Sequence, residues 1–385
     1  MENIDLVFER KYLVKIVMGQ GILNKVKTHL IPFLSEPRVV IITNPLLKKL
    51  YADSLTKELS KYNIEVHTIL VADGEKTKSL NTAKKIFDSL IECKVNRSTT
   101  LISLGGGVIG DLGGFIAATF MRGLPLIHIP TTLLAQIDSS IGGKVAINHA
   151  KAKNTIGSFY HPGIILTDSR VLQSLPIRQI KNGLVEAIKI AIISSSSFFD
   201  WLENNIELIL KKDEEGLAFL VKKAIQLKTD LILKDPWENN INNQRKYLNL
   251  GHTIGHVWEV MGGYNRISHG EAVALGILME TKIAYELGIC SEELQQRIKQ
   301  IFSFLFNSLP PKSFFSLLFQ SIQESKRIEN SKINFATFWD ILTLDKKNSK
   351  GEITFILPEK LGRVRLIDHL SREEIKNFLQ EFISS

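Results

Sequence analysis

Three of the chain's nine histidines fall between positions 252 and 269. The run His252-Thr253-Ile254-Gly255-His256 puts two imidazoles at i and i+4, on one face of a helix. His269 follows, directly before Gly270-Glu271. A single histidine is usually structural, but three this close point to a metal. No glutamate stands between His252 and His256, which excludes the helical H-E-x-x-H of metalloproteases. A catalytic zinc site takes three protein ligands and keeps one position open. Two histidines can supply two ligands, so a carboxylate must supply the third. Glu186 is the candidate. It sits in the apolar helical run Gly183-Leu184-Val185-Glu186-Ala187-Ile188-Lys189, where an unpaired charge is costly. An ion pair with Lys189 or a solvent-facing position is the alternative.

A second group of residues suits anions. Gly105-Gly106-Gly107-Val108-Ile109-Gly110-Asp111 follows an apolar run and opens a helical pattern. Glycines let backbone N–H groups approach a phosphate, and a helix N-terminus adds positive charge. Without a ligand the same pattern is a tight strand-to-helix turn. No acidic residue follows about 20 residues on to hold a ribose, so a nucleotide here implies another sheet topology than the usual dinucleotide fold. Pro130-Thr131-Thr132, Asp138–Lys144 and Lys153-Asn154 add hydroxyls, a carboxylate and lysines. Leu133, Leu134, Ile137 and Ile141 surround them, which implies partial burial and a need for partners. Lys144, Lys153, Lys189, Lys228, Arg245, Lys346 and Lys347 lie near these motifs. Beside a metal they would form a cavity for a molecule carrying phosphate and carboxylate groups.

The elements that must position these residues change character along the chain. Short apolar runs at Arg38–Thr43, Glu65–Leu70, Thr99–Leu104, Leu126–Ile129 and Ile164–Thr167 alternate with amphipathic helices such as Lys78–Leu90. That alternation predicts a parallel α/β domain over 1–175, with ligands at the carboxyl ends of its strands. Long helical patterns then predict a second, mainly α-helical domain over 176–385, closed by a strand at Glu352–Leu357 and a helix at Glu373–Phe382. A hydrophobic fraction of 44% with 23% charged residues excludes wholesale disorder. Two cysteines, Cys93 and Cys290, exclude a disulfide framework and predict a cytoplasmic location. No run reaches the roughly 18 apolar residues of a membrane span, and the acidic start Met1–Asp5 is not that of a secretory signal. The net charge of +8 is spread without a long basic run, which fits an acidic small molecule better than nucleic acid or membrane.

Taken in order, the motifs resemble the 3-dehydroquinate synthase family of the sugar phosphate cyclases, over nearly the whole chain. The matching stretches are Gly74-Glu75 with Lys78, Gly105–Asp111, Phe120–Gly123, Pro130–Lys144, Lys153-Asn154, Gly183–Lys189, Leu248–His256, His269–Ala272 and Asp345–Lys347. The resemblance implies an N-terminal parallel-sheet domain that binds NAD+ and a C-terminal helical domain for metal and substrate. It places the metal, Zn2+ or Co2+, on Glu186, His252 and His269. His256 then belongs to the substrate side, so the i, i+4 pair supplies only one ligand. NAD+ contacts fall on Asn44, Glu75, Lys78, Gly106, Gly107, Asp111, Thr131, Thr132, Asp138 and Lys153. Substrate contacts fall on Lys144, Asn154, Lys189, Lys228, Arg245, Asn249, His256 and Lys346 or Lys347. Arg122 looks like the arginine that reaches a neighbouring subunit's site, which implies a homodimer.

The implied reaction is that of a phosphorus–oxygen lyase of the shikimate pathway to aromatic amino acids. It converts 3-deoxy-D-arabino-heptulosonate 7-phosphate to 3-dehydroquinate and phosphate. Transient oxidation by NAD+, β-elimination of phosphate, re-reduction and an intramolecular aldol closure make up the sequence. One stretch departs from the family pattern. The segment Asp235–Gln244 is longer than usual and the Gly-Leu before the arginine is absent, although Glu238 remains a counterpart of the family's acidic residue. The rival readings are a 2-deoxy-scyllo-inosose, valiolone-type or amino-dehydroquinate synthase and, more distantly, a metal-dependent polyol dehydrogenase. Arg245, Lys228 and the Asp138–Lys144 run favour the carboxylate-bearing substrate.

Overall fold

The computed structural model describes residues 12–149, 152–238, 244–262, 267–306, 335–344 and 353–384. The chain divides into two units, Met1–Val171 and Leu172–Ser385. The sequence reading puts that boundary between 175 and 176.

The first unit contains β1 (Lys15–Gly19), β2 (Arg38–Thr43), β3 (Glu65–Leu70), β4 (Thr100–Gly105) and β5 (Leu126–Pro130), then a hairpin of β6 (Lys144–His149) and β7 (Ala152–Phe159), then β8 (Ile164–Asp168). Six strands form one parallel sheet in the order β1-β8-β5-β4-β2-β3. Helices α1 (Val26–His29), α2 (Pro45–Leu47), α3 (Asp53–Ser60), α4 (Leu80–Glu92) and α5 (Gly107–Thr119) connect them. The inner strands β2, β4, β5 and β8 are buried on both faces, which explains their unbroken apolar runs. In β2, Val40 and Ile42 pack into a core with Leu101, Leu112 and Ile116, whereas Val39 and Ile41 pack with Ile102, Leu104 and Ile127 on the other face. That is the period-2 alternation of a strand.

The strand order reverses at β2. The chain leaves β2 for the outer β3 and returns on the other side as β4. The carboxyl ends of β2 and β4 therefore diverge into a crevice, where open α/β sheets bind their ligands. Asn44 follows β2 and Gly106 follows β4, so both motifs stand at this crevice.

Two parts of the first unit, β1 and the β6–β7 hairpin, escape the sequence reading. β1 pairs with β8 from Lys15↔Ile164 to Gly19↔Asp168. Its exit is fixed by Asp168, whose carboxylate accepts from Gly21 N at 2.8 Å and Leu23 N at 3.1 Å. The polar stretch after Gly143 is the β6–β7 hairpin, paired from Lys144↔Phe159 to His149↔Ala152. It is anchored by the buried Val145 and Ile147.

The second unit is mainly helical, with α6 (Ile177–Ser194), α7 (Ser196–Leu210), α8 (Glu214–Lys234), α9 (His252–Met261), α10 (His269–Glu286), α11 (Glu292–Phe306), α12 (Phe335–Leu344) and α13 (Arg372–Ser384). An antiparallel pair, β9 (Phe355–Lys360) and β10 (Arg363–Ile367), precedes α13. The sequence predicts the first of these strands a few residues early and misses the second. Helix α6 is central, and every residue from Asn182 to Ile193 is buried. Ser195 and Asp213 cap α7 and α8 by accepting from Phe198 N and Gly216 N. Among the described residues no helix is long and apolar enough to cross a membrane.

His128, in the central strand β5, is buried, and burial pushes its pKa down from 6.5 to about 4. The unfolded chain therefore takes up a proton that the folded chain refuses as pH falls below 6.5. Stability present above pH 6.5 should drain away towards pH 4, by about 3 kcal/mol for this group. We expect His128→Gln to flatten that part of the stability–pH curve, measured by urea unfolding at several pH values. An unchanged slope would contradict the assignment.

Candidate active site

Three helices of the second unit converge on one carboxylate. Glu186 lies in the middle of α6 and is 0% exposed. His252 is the first residue of α9 and His269 the first of α10. Glu186 Oε1 is 3.7 Å from His252 Nε2 and 3.4 Å from His269 Nε2. One ligand atom from each of the three lies within 4.8 Å of the others. One buried carboxylate and two imidazoles make the three-ligand donor set of a catalytic zinc-type site. Lys189, one turn along α6 and 1% exposed, forms an ion pair with Glu186.

Close packing brings the ligands together. The start of α10 presses on α6, where a Cβ on Gly270 would lie 2.7 Å from Asn182 Cα. The same junction is tied by Ser268, whose hydroxyl donates to Asn182 Oδ1 at 2.7 Å and which caps α10 in a capping box with Glu271. Further along α10, a Cβ on Gly276 would lie 1.9 Å from the carbonyl oxygen of Gly251, just before α9. Any side chain at 276 would push α9 away.

Each imidazole is also held at its far nitrogen. His269 Nδ1 faces Glu259 Oε1 at 3.3 Å, and His252 Nδ1 lies 3.1 Å from the carbonyl oxygen of Leu250. Such outer partners fix tautomer and ring orientation in metal sites. Burial works against a charged His269, but the carboxylates of Glu186 and Glu259 outweigh it and hold its pKa up at about 10. These two carboxylates favour positive charge at the His269 ring. Glu259 is absent from the sequence reading. Its signal was its place one turn beyond His256 on a helix already carrying two histidines.

His256 lies next to this group of three and is not one of them. Its ring meets His252 edge-on, with centroids 5.6 Å apart. Helix α8 and the turn over Gln244–Asn249 both pack on α6. They carry the buried Lys228 and Arg245, 6% and 3% exposed, and Asn249 ends the turn. Arg245 donates to the carbonyl of Pro236. Glu238 lies at the edge of this region with φ 59, and the residues between it and Gln244 lie outside the described residues. So do Lys346 and Lys347.

The first unit gathers the other candidates. Gly106 is the N-cap of α5 and lies against Thr132, whose methyl a Cβ at 106 would meet at 3.0 Å. A Cβ on Gly107 would meet Ser139 Oγ at 3.1 Å. Thr131 N donates to Gly105 O at 3.0 Å, and Thr132 Oγ1 accepts from Ala135 N at 3.1 Å. Asp138 is held in a wide helical turn over Ala135–Ser139. Asn44 caps α2, its Oδ1 accepting from Leu47 N at 2.8 Å. The ends of β2, β4 and β5 thus present a rim of backbone N–H groups and hydroxyls suited to a diphosphate.

Lys78 organises the adjoining cluster. Its Nζ donates to Asp111 Oδ2 at 2.7 Å and to Asn154 Oδ1 at 2.5 Å, and lies 3.6 Å from Glu75. Burial favours the neutral amine, but Asp111 and Glu75 prevail and hold its pKa up. Asn148 Nδ2 donates to Glu75 Oε1 at 2.8 Å, and Asn148 Oδ1 accepts from Asn154 N at 2.9 Å. Asn154 holds φ 53, a left-handed conformation that asparagine tolerates better than most residues. Lys144 and Lys153 lie on the same hairpin. After α5, Met121, Arg122 and Gly123 all adopt positive φ, at 51, 63 and 129. Consecutive non-glycine residues in that region are costly and cluster at functional positions.

The fold is that of the sugar phosphate cyclases. A 2-epi-5-epi-valiolone synthase from Streptomyces hygroscopicus, solved with NAD+ and Zn2+ bound, superposes with a TM-score of 0.83 at 23% identity, covering 100% of this chain and 99% of that one. A 2-deoxy-scyllo-inosose synthase, complexed with carbaglucose-6-phosphate, NAD+ and Co2+, gives 0.79 at 25% identity, covering 95% and 96%. The family descriptions "3-dehydroquinate synthase N-terminal" and "3-dehydroquinate synthase C-terminal" match residues 68–182 and 183–348. A 3-dehydroquinate synthase from Nitrosomonas europaea is 39% identical over 368 residues, 94% of this chain and 93% of that protein. One from Pelotomaculum thermopropionicum is 37% identical, over 100% of this chain and 97% of its own. The chain belongs to the 3-dehydroquinate synthase family.

Replacing a ligand should empty the centre. We expect Glu186→Ala and His269→Ala to lose bound metal on dialysis, read by elemental analysis, and turnover with it. A variant that keeps one metal per chain would remove that residue from the ligand set.

Proposed function

We propose that this protein is a lyase that converts 3-deoxy-D-arabino-heptulosonate 7-phosphate to 3-dehydroquinate and phosphate. The observation that carries the reading is the fully buried Glu186 carboxylate meeting two imidazoles at 3.4 and 3.7 Å, in a chain with this family match. Glu186, His252 and His269 would hold Zn2+ or Co2+. Bound NAD+ and the metal would supply reversible hydride acceptance and Lewis-acid polarisation of an alcohol oxygen.

The chain's own residues have three tasks. Asn44, Glu75, Lys78, Gly106, Gly107, Asp111, Thr131, Thr132, Asp138 and Lys153 hold the dinucleotide, with backbone N–H groups at α5 taking its diphosphate. Lys144, Asn154, Lys189, Lys228, Arg245, Asn249, His256 and Lys346 bind a substrate that carries both a phosphate and a carboxylate. The planar guanidinium of Arg245 suits the carboxylate, which can take two parallel hydrogen bonds from it. Glu238 is the counterpart of the family's acidic residue at this edge of the site. Lys189 neutralises Glu186 and keeps the pocket positive for an anion. His256, edge-on to His252, is placed to hand a proton to and from a substrate oxygen through its imidazole. Cations fixed before the substrate arrives lower the reorganisation that its elimination and ring closure require.

Arg122 completes the site of a second copy in a homodimer. Its strained turn holds the side chain outward for that purpose.

The decisive assay is phosphate release from 3-deoxy-D-arabino-heptulosonate 7-phosphate with NAD+ and Zn2+, with and without a chelator. We expect chelator-sensitive release, formation of 3-dehydroquinate and no net NADH. Release from glucose 6-phosphate or sedoheptulose 7-phosphate instead would assign one of the other cyclase activities. Arg122→Ala should lower turnover at least tenfold while leaving thermal unfolding unchanged, an effect of roughly 1.4 kcal/mol on the barrier. Unaltered kinetics would remove Arg122 from the site.

A further inference from the structure

The two imidazole ligands are supported from behind in different ways. His269 Nδ1 faces the Glu259 carboxylate directly. His252 Nδ1 instead faces the carbonyl oxygen of Leu250 at 3.1 Å. A carbonyl only accepts, so Nδ1 carries the proton and Nε2 keeps its lone pair for the metal. The other end of that same peptide unit is the N–H of Gly251, and it donates to Glu280 Oε2 at 2.6 Å in a buried bond. Glu280 lies on α10 and is 0% exposed. Gly251, with φ 77, precedes α9 and offers no side chain to cap it. A carboxylate at this point meets the positive end of the helix.

We propose that Glu280 is a positioning residue of the metal centre, acting on His252 through the Leu250–Gly251 peptide. A carboxylate that accepts from an amide N–H pulls on the amide proton and leaves more negative charge on the carbonyl oxygen. That oxygen then holds the Nδ1 proton of His252 more strongly, which makes Nε2 a better ligand. His252 receives through one peptide what His269 receives directly from Glu259. The same bond fixes the turn from which His252 projects, at the point where Gly251 touches Gly276. The role of Glu280 rests on the metal reading above and adds a residue to it.

The test separates charge from packing. Glutamine at 280 keeps an oxygen for Gly251 N–H but loses the charge. Metal-stripped parent, Glu280→Gln and, as a positive control, Glu259→Gln are titrated with Zn2+ against a competing chelator, and their urea unfolding is measured without metal. We expect Glu280→Gln to unfold like the parent yet bind Zn2+ on the order of tenfold more weakly, as loss of an outer partner does in metal sites. Equal affinity in Glu280→Gln and the parent would overturn the proposal, because a purely structural cap predicts that result. If Glu280→Gln does not fold, Glu280→Asp, which keeps the charge but shortens the reach, is expected to weaken Zn2+ binding as well, and unchanged affinity there would overturn it equally. A parent that binds no Zn2+ would fail the metal reading itself, a different outcome from a parent that binds and an unaffected Glu280→Gln.

Discussion

A carboxylate shut away from water demands positive charge, and Glu186 makes that demand at the centre of the second unit. The stretch of its helix from Asn182 to Ile193 is buried on every side, so no solvent can meet the charge. Lys189 answers from the same helix, and two imidazoles answer from the first residues of two others. The arrangement of α6, α9 and α10 follows from this requirement. The glycine contacts, the Ser268 clasp and the outer partners on each imidazole all hold positive groups around one anion. A divalent cation held by the same three groups would meet this demand too.

Much of this was legible in residue order. The apolar runs ending at Thr43 and Leu104 are strands whose residues are buried on both faces and need no alternation. The histidines stood out because three of the nine fall within 18 residues, and Glu186 because a charge in an apolar helical run requires a reason. The metal donor set could not be chosen from spacing, since His252 and His256 share a helix face while His269 comes from another helix. Choosing His269 over His256 needed the family pattern; in the structure one ligand atom each of Glu186, His252 and His269 lies within 4.8 Å of the others. Glu259 was not legible, because a glutamate on a helix usually faces solvent, and only the packing of α9 against the start of α10 turns it towards His269.

The first unit shows a different limit. The glycine run read as a candidate anion rim, and the missing acidic partner implied that any nucleotide there would sit in another sheet topology; the strands run β1-β8-β5-β4-β2-β3. The topology supplies the reason. The reversal falls between β2 and β4, so the rim is assembled from Asn44 and the Gly105–Gly107 turn, which are far apart in sequence. The β6–β7 hairpin escaped because its outward-facing residues are lysine and asparagine and its apolar anchors are only Val145 and Ile147. Strand β1 escaped because it is an edge strand whose pairing partner lies almost the whole unit away.

The contact between Gly276 and the Gly251 carbonyl has a consequence for how this protein can change over time. The spacing of α9 and α10 there is set by main chain touching main chain, with no side chain as an intermediary. Side chains exchange rotamers and are replaced in evolution, whereas a backbone contact does neither. The apolar residues around the centre can therefore drift among Leu, Ile, Val and Met without altering the separation of its two histidines. The geometry of the centre is in this sense insulated from the history of its own core, at the cost of two positions that can never gain a methyl group.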